Sequence, residues 1–112
     1  MGFEDNAAVL TCVGNLTADN KEEVIKHADK ALGMGISCLA VGLKNVNFLD
    51  SSGIGALVTI KKAAMARDGD VRLFELSPAV EDVGRWIGLR KMFQVFSTKE
   101  SCLESFQDAI FN

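Results

Sequence analysis

Apolar and polar positions alternate along the chain in two periods, and the switches between them mark the elements. Ala7-Ala8-Val9-Leu10-Thr11-Cys12-Val13 reads as a strand, with Gly14-Asn15 supplying turn chemistry behind it. Val24, Ile25, Ala28, Ala31 and Leu32 then recur at helical spacing. Thr17 or Asp19 stands as the cap, Glu22 lies three residues after Asp19, and Gly33 and Gly35 end the segment. Ser37-Cys38-Leu39-Ala40-Val41-Gly42-Leu43 is nearly continuous apolar sequence, which predicts a central strand covered on both faces. Lys44-Asn45 reads as a turn, and Val46 to Leu49 lead out to Asp50.

The period returns to helical over residues 52 to 66, with Ile54, Leu57, Val58 and Met65 on one side and Lys61, Lys62 and Arg67 on the wet side and at the C-terminal end. Asp68-Gly69-Asp70 is a turn, and Val71-Arg72-Leu73-Phe74-Glu75-Leu76 alternates as a strand. Ser77 caps a third helix, Pro78 takes its first position, and Gly88 closes it after Val80, Val83, Trp86 and Ile87, with Trp86 read as a core anchor. Met92-Phe93-Gln94-Val95-Phe96 forms a last strand. Ser97-Thr98-Lys99-Glu100 is a capping box opening a helix through Leu103, Phe106 and Ile110. Four strand-helix repeats predict an α/β fold with a mostly parallel sheet under helical cover.

Composition narrows the class of function. A chain of 112 residues is expected to form one domain over residues 1 to 112 and to bury about two-thirds of its unfolded surface. Hydrophobic residues at 48% and charged residues at 24% are those of an ordered globular protein, and a formal charge of −3 offers no basic footprint for nucleic acid or an anionic membrane. No apolar run approaches the roughly 18 residues that span a bilayer, and no basic segment precedes an apolar core near Met1, so a cytoplasmic location is expected. Cys12, Cys38 and Cys102 each stand in an apolar pattern and read as small buried hydrophobes. His27, the only histidine, has no ligand partners at a metal-binding spacing and reads as a solvated helix residue, so neither metal nor cofactor is expected.

The densest chemistry lies in Asn47-Phe48-Leu49-Asp50-Ser51-Ser52-Gly53-Ile54-Gly55-Ala56-Leu57. An apolar run ends at Asp50 and a helical pattern starts at Ile54, so Asp50 to Gly53 is a tight turn feeding a helix N-terminus. There the first backbone N–H groups lack intrahelical partners and the positive end of the dipole favours an anion by about 0.3–1 kcal/mol. Two readings of Ser51 and Ser52 are open on these residues: plain N-caps, or hydroxyls placed where a phosphate is welcome. Asp50 and Gly53 likewise have cap and turn readings beside functional ones, and Ile54 is either core or a rim contact for a partner. A serine-hydrolase elbow is excluded because neither serine has a glycine two residues before it. Gly53-Ile54-Gly55 lacks the third glycine of a dinucleotide fingerprint, Val58 standing in its place, and no phosphate-loop Gly-Lys-Ser/Thr occurs. A phosphoaspartate receiver built on Asp50 would need an acidic cluster, whereas Glu4 and Asp5 precede the first strand instead of ending it.

This stretch, with Ser77-Pro78-Ala79-Val80 and Gly88-Leu89 downstream, resembles the STAS domain, most closely the anti-sigma factor antagonists. The resemblance spans residues 7 to 110 and implies helices packed asymmetrically, about four of them, on a small mostly parallel or mixed sheet. In that family the first serine of Asp-Ser-Ser-Gly carries the phosphate, which maps to Ser51, with Ser52 as its competitor. The implied function is non-enzymatic. The unphosphorylated domain binds an anti-sigma factor that is also a serine kinase and frees a sigma factor; phosphorylation ends binding, and a serine phosphatase reverses it. Asp50 would then orient Ser51 or meet the kinase's metal, and Gly53 would let a partner backbone approach. Regulators of the family often carry an acid where Thr17 stands. A STAS subunit of a membrane transport ATPase complex, never phosphorylated, is the alternative that the resemblance leaves open.

Overall fold

The computed structural model describes the backbone of residues 2–4 and 7–111 and the side chains of residues 7–107. In chain order the elements are β1 (Gly2–Glu4), β2 (Ala7–Leu16), α1 (Lys21–Gly33), β3 (Cys38–Leu49), α2 (Ser51–Met65), β4 (Asp70–Phe74), α3 (Pro78–Ile87), α4 (Leu89–Met92), β5 (Val95–Phe96) and α5 (Lys99–Phe111). They form one five-stranded sheet in the order β1-β2-β3-β4-β5, in which β1 runs antiparallel to β2 and every other pairing is parallel. The sheet is therefore mixed by virtue of one short strand, which the polar-apolar pattern does not announce.

Two apolar layers sandwich it. On one face Leu10, Leu39, Val41, Leu43, Val71 and Leu73 pack beneath Val24, Ala28 and Leu32 of α1, Leu57, Ile60 and Ala64 of α2, and Val80 of α3. On the other, Ala7, Val9, Ala40 and Phe74 meet Cys102, Leu103 and Phe106 of α5. Arg72 fastens that helix: its guanidinium lies 4.4 Å from the Phe106 ring centre, donates to Ser105 Oγ at 2.7 Å and reaches Asp70 Oδ2 at 3.2 Å. Burial raises the thiol pKa of Cys12 and of Cys102 to about 11, and that of Cys38 upward as well, which keeps all three thiols protonated at neutral pH. His27 is exposed on α1, 4.0 Å from Glu23.

Several expected boundaries move for physical reasons. The turns at Gly14-Asn15 and Lys44-Asn45 do not exist: β2 and β3 run through them, and the register slips twice, so that β3 carries one extra residue opposite Thr11 to Val13 and another opposite Gly14 to Asn15. Gly14, at φ 87°, takes up the distortion. The first helix is capped at Asn20, in place of Thr17 or Asp19, with the Thr17 carbonyl accepting from Lys21 N at 2.9 Å. The last strand shrinks to Val95–Phe96 because residues 89–92 coil into α4. At α5 the cap is Thr98, whose hydroxyl accepts from Ser101 N at 3.1 Å, one residue later than the expected capping box; the side chain of Ile110 lies outside the described residues.

Two apolar anchors turn out to face water. Met65 is 56% exposed because α2 buries the row Gly53, Leu57, Ile60 and Ala64, about a quarter-turn away. Trp86 is 90% exposed. Helix α3 instead buries Val80 and Gly84, and Leu89 packs 3.2 Å from where a Gly84 Cβ would stand.

Candidate functional site

The candidate site is built where two strand ends meet the start of α2. Strand β3 delivers the chain to Asp50, whose extended backbone (φ −114°, ψ −176°) leaves the sheet and whose side chain accepts from Gly53 N at 2.9 Å. Asp50 is thus the N-cap, and Ser51, Ser52 and Gly53 occupy the first three helical positions. The neighbouring strand β2 ends at Leu16, whose carbonyl accepts from Asp50 N at 3.3 Å, so the corner at Leu16 and Thr17 abuts the helix start.

Gly53 is buried at this junction, and a Cβ on it would stand 2.1 Å from the Leu16 carbonyl oxygen. The close backbone approach at Gly53 is therefore made by the chain's own β2. Ile54 is half-buried against the helix-side core. Ser51 is exposed and Ser52 half-buried, and neither hydroxyl makes a hydrogen bond among the described residues. The capping reading of the serines fails because Asp50 has taken the cap.

Two neighbours escaped notice in the linear pattern. Strand β3 is buried continuously from Leu39 to Leu43; past the first slip only every third residue, Val46 and Leu49, is buried, and Phe48, one residue before Leu49, is 52% exposed beside the site. The available signal was the adjacent apolar pair Phe48-Leu49, whose side chains point to opposite faces of a strand. Gly55 is the second: it is exposed on α2, four residues after Ser51, and a Cβ there would meet nothing within 4 Å. A cavity of about 250 Å³ beside β2 and α1, bounded by Cys12, Asn20, Val24 and His27 among others, includes none of residues 50–54. Among the described residues no group of three His, Cys, Asp or Glu side chains is placed to hold a metal ion, and no helix is long and apolar enough to cross a membrane.

An α/β sheet of this topology with an acid-capped Ser-Ser-Gly helix start defines a STAS domain, and residues 2–102 match the STAS domain family, so the chain belongs to it. Among solved structures it is similar to an anti-sigma factor antagonist from Mycobacterium paratuberculosis (TM-score 0.82, 19% identity, 95% of this chain and 90% of that one). It is similar also to the anti-sigma factor antagonist SpoIIAA in its unphosphorylated form (0.77, 21%, 91% and 89%), a Bacillus cell fate determinant solved phosphorylated as well (0.71, 21%, 94% and 95%). The STAS domain of a SulP transporter from Vibrio cholerae shares the fold (0.71, 20%, 98% and 88%). At these identities the likeness is one of fold.

Proposed function

We propose that this chain is a phosphorylation-switched anti-sigma factor antagonist. Its unphosphorylated form binds an anti-sigma factor serine kinase in the cytoplasm and frees a sigma factor, and phosphate on Ser51 abolishes that binding until a serine phosphatase removes it. The observation that carries the reading is the state of the Ser51 hydroxyl: exposed, first in its helix and uncommitted, because Asp50 already caps α2. Support comes also from the likeness to SpoIIAA, a protein solved with and without phosphate.

The physics of the switch follows from position. A phosphoserine adds about −1.5 to −2 charges and three acceptor oxygens. Beside the unpaired N–H groups of the first turn this charge is tolerated, so the fold survives modification. In a docked interface the same dianion must shed water, and a loss of about 3 kcal/mol weakens binding roughly a hundredfold. Asp50 would orient Ser51 or meet a metal carried by the kinase: its Oδ1 accepts from Gly53 N and so fixes the turn on which Ser51 sits, and its Oδ2, which makes no hydrogen bond among the described residues, would be the oxygen to meet the metal. Gly53 sets the corner, and Ser52 and Ile54 form its rim. The chain itself is a regulatory binding protein and a substrate, without catalysis of its own.

A second reading is a non-phosphorylated subunit of a membrane transport ATPase complex; the likeness to a transporter STAS domain supports a place in membrane transport. Tagged wild-type, Ser51→Ala and Ser51→Asp proteins, each shown folded by circular dichroism, separate the two in a pull-down from the source cytoplasm with partners identified by mass spectrometry. The expected result is capture of an ATP-binding serine kinase by wild type and Ser51→Ala and its loss with Ser51→Asp. Undiminished capture of that kinase by Ser51→Asp would overturn the switch, and equal capture of a transporter ATPase by all three would establish the second reading.

A further inference from the structure

Residues 83–99 carry Arg85, Arg90, Lys91 and Lys99 and neither Asp nor Glu, in a chain whose formal charge is −3. The whole-chain balance hides this local bias, and the fold gathers most of it at the corner where α3 turns into α4. Between those helices lies a pocket of about 150 Å³ lined by Leu76, Gly84 and Leu89 and by Arg85, Arg90 and Lys91, with one acid, Glu81, also on its wall and paired to Arg90. A broader groove of about 330 Å³ opens on the other side of Arg90 and Lys91, reaching Phe93 and Val95. The same corner leaves Trp86 90% and Ile87 39% exposed.

Its cations are available. Arg85 pairs with Asp82, and Arg90 with Glu81 at 2.6 Å, but both pairs are solvent-exposed, a type that contributes little and exchanges readily for a partner's carboxylates. Lys91 makes no ion pair among the described residues. Arginine is enriched in binding hot spots because its guanidinium offers contact area together with several donors.

We infer that the α3–α4 corner is a docking site for an acidic segment of a partner protein, which places one apolar side chain in the Leu76–Gly84–Leu89 pocket and carboxylates against Arg85, Arg90 and Lys91. Charge complementarity selects an acidic occupant, and the concave apolar floor selects a peptide over a lipid surface. Membrane-binding clusters gather four to eight cations on an open face, whereas three surround this pocket, with Glu81 on its wall and Asp82 paired to Arg85. The site lies on elements other than α2 and does not depend on the role of Ser51.

The test uses the whole chain and labelled peptides of about a dozen residues, each with a central Leu or Phe flanked by Glu and Asp, by Ser and Gln, or by Lys and Arg, read by fluorescence anisotropy. Vesicles containing phosphatidylserine form a parallel arm. Acidic peptides bind, binding falls as salt rises, and the basic set does not bind. An Arg90→Glu/Lys91→Glu protein with unchanged circular dichroism loses at least about tenfold in affinity. Equal binding of neutral or basic peptides, undiminished binding by the double variant, or association with vesicles but with no acidic peptide would each overturn the inference.

Discussion

Helices α2 and α3 both begin where a strand runs out into a residue that caps, and each has a serine at that point, yet the two serines live in different chemical worlds. Ser77 is itself the cap of α3. It is 6% exposed, its Oγ donates to the Val46 carbonyl at 2.6 Å and accepts from Val80 N at 3.2 Å, and Pro78 follows in the first helical position. Ser51 follows its cap: Asp50 holds Gly53 N, and Ser51 is left exposed with nothing to hold. Moving the capping job back by one residue converts a structural hydroxyl into a free one. A phosphate on Ser77 would have to leave the interior and strand two backbone groups, whereas on Ser51 it would meet only water and helix N–H groups.

Helix α2 is fixed at its start by backbone packing and not by its serines, and the largest effect tests that directly. Gly53→Ala sets a methyl group 2.1 Å from the Leu16 carbonyl, so the helix must move off β2, at an expected loss of about 3 kcal/mol in urea unfolding. An alanine accepted without loss would mean that the α2 start is loosely held and the contrast with α3 is false. Next in size is the pair of serines. Ser77→Ala removes the cap of α3 and leaves Val46 O and Val80 N without that partner, an expected loss of about 2 kcal/mol, while Ser51→Ala changes stability by less than about 0.5 kcal/mol. Equal losses in the two variants, measured in the same urea series, would break the comparison.

The contrast between the two starts was half legible in the residues. Ser77-Pro78 announced its helix, Gly88 at φ 72° closed it as expected, and Asp50-Ser51-Ser52-Gly53 announced the other. Which residue of that quartet caps was not legible, because Asp and Ser satisfy the same preference and only the fold decides which side chain faces the orphan N–H. The alternation of α/β elements and the central place of β3 followed from periodicity, whereas the bulges did not: Gly14-Asn15 and Lys44-Asn45 suit a turn and a bulge equally, since both require a residue that leaves the extended conformation. Trp86 misled because Val80, Val83, Trp86 and Ile87 share helical spacing. Helix α3 buries the Val80–Gly84 side instead, where the bare Gly84 lets Leu89 pack close. Phe48 was exposed by the same slip in β3 that the linear pattern concealed.

The smallest expected effect separates what α2 needs from what a partner of Ser51 needs. Glycine within a helix costs about 0.5–1 kcal/mol relative to alanine, and a buried neighbour is the usual compensation, as at Gly53. Gly55 has none: space is open where its Cβ would be, and the Thr59 hydroxyl, which donates to its carbonyl at 2.8 Å, would do so equally for alanine. Since residues four apart share a helix face, Gly55 leaves the surface bare directly behind Ser51. Gly55→Ala is therefore expected to raise stability by about 0.5–1 kcal/mol in urea unfolding and at the same time to weaken capture of the Ser51 partner. A protein that gains stability and captures that partner as well as wild type would show that the partner does not press on this turn, and would shift the bare glycine from a feature of docking to an uncompensated weakness of the helix.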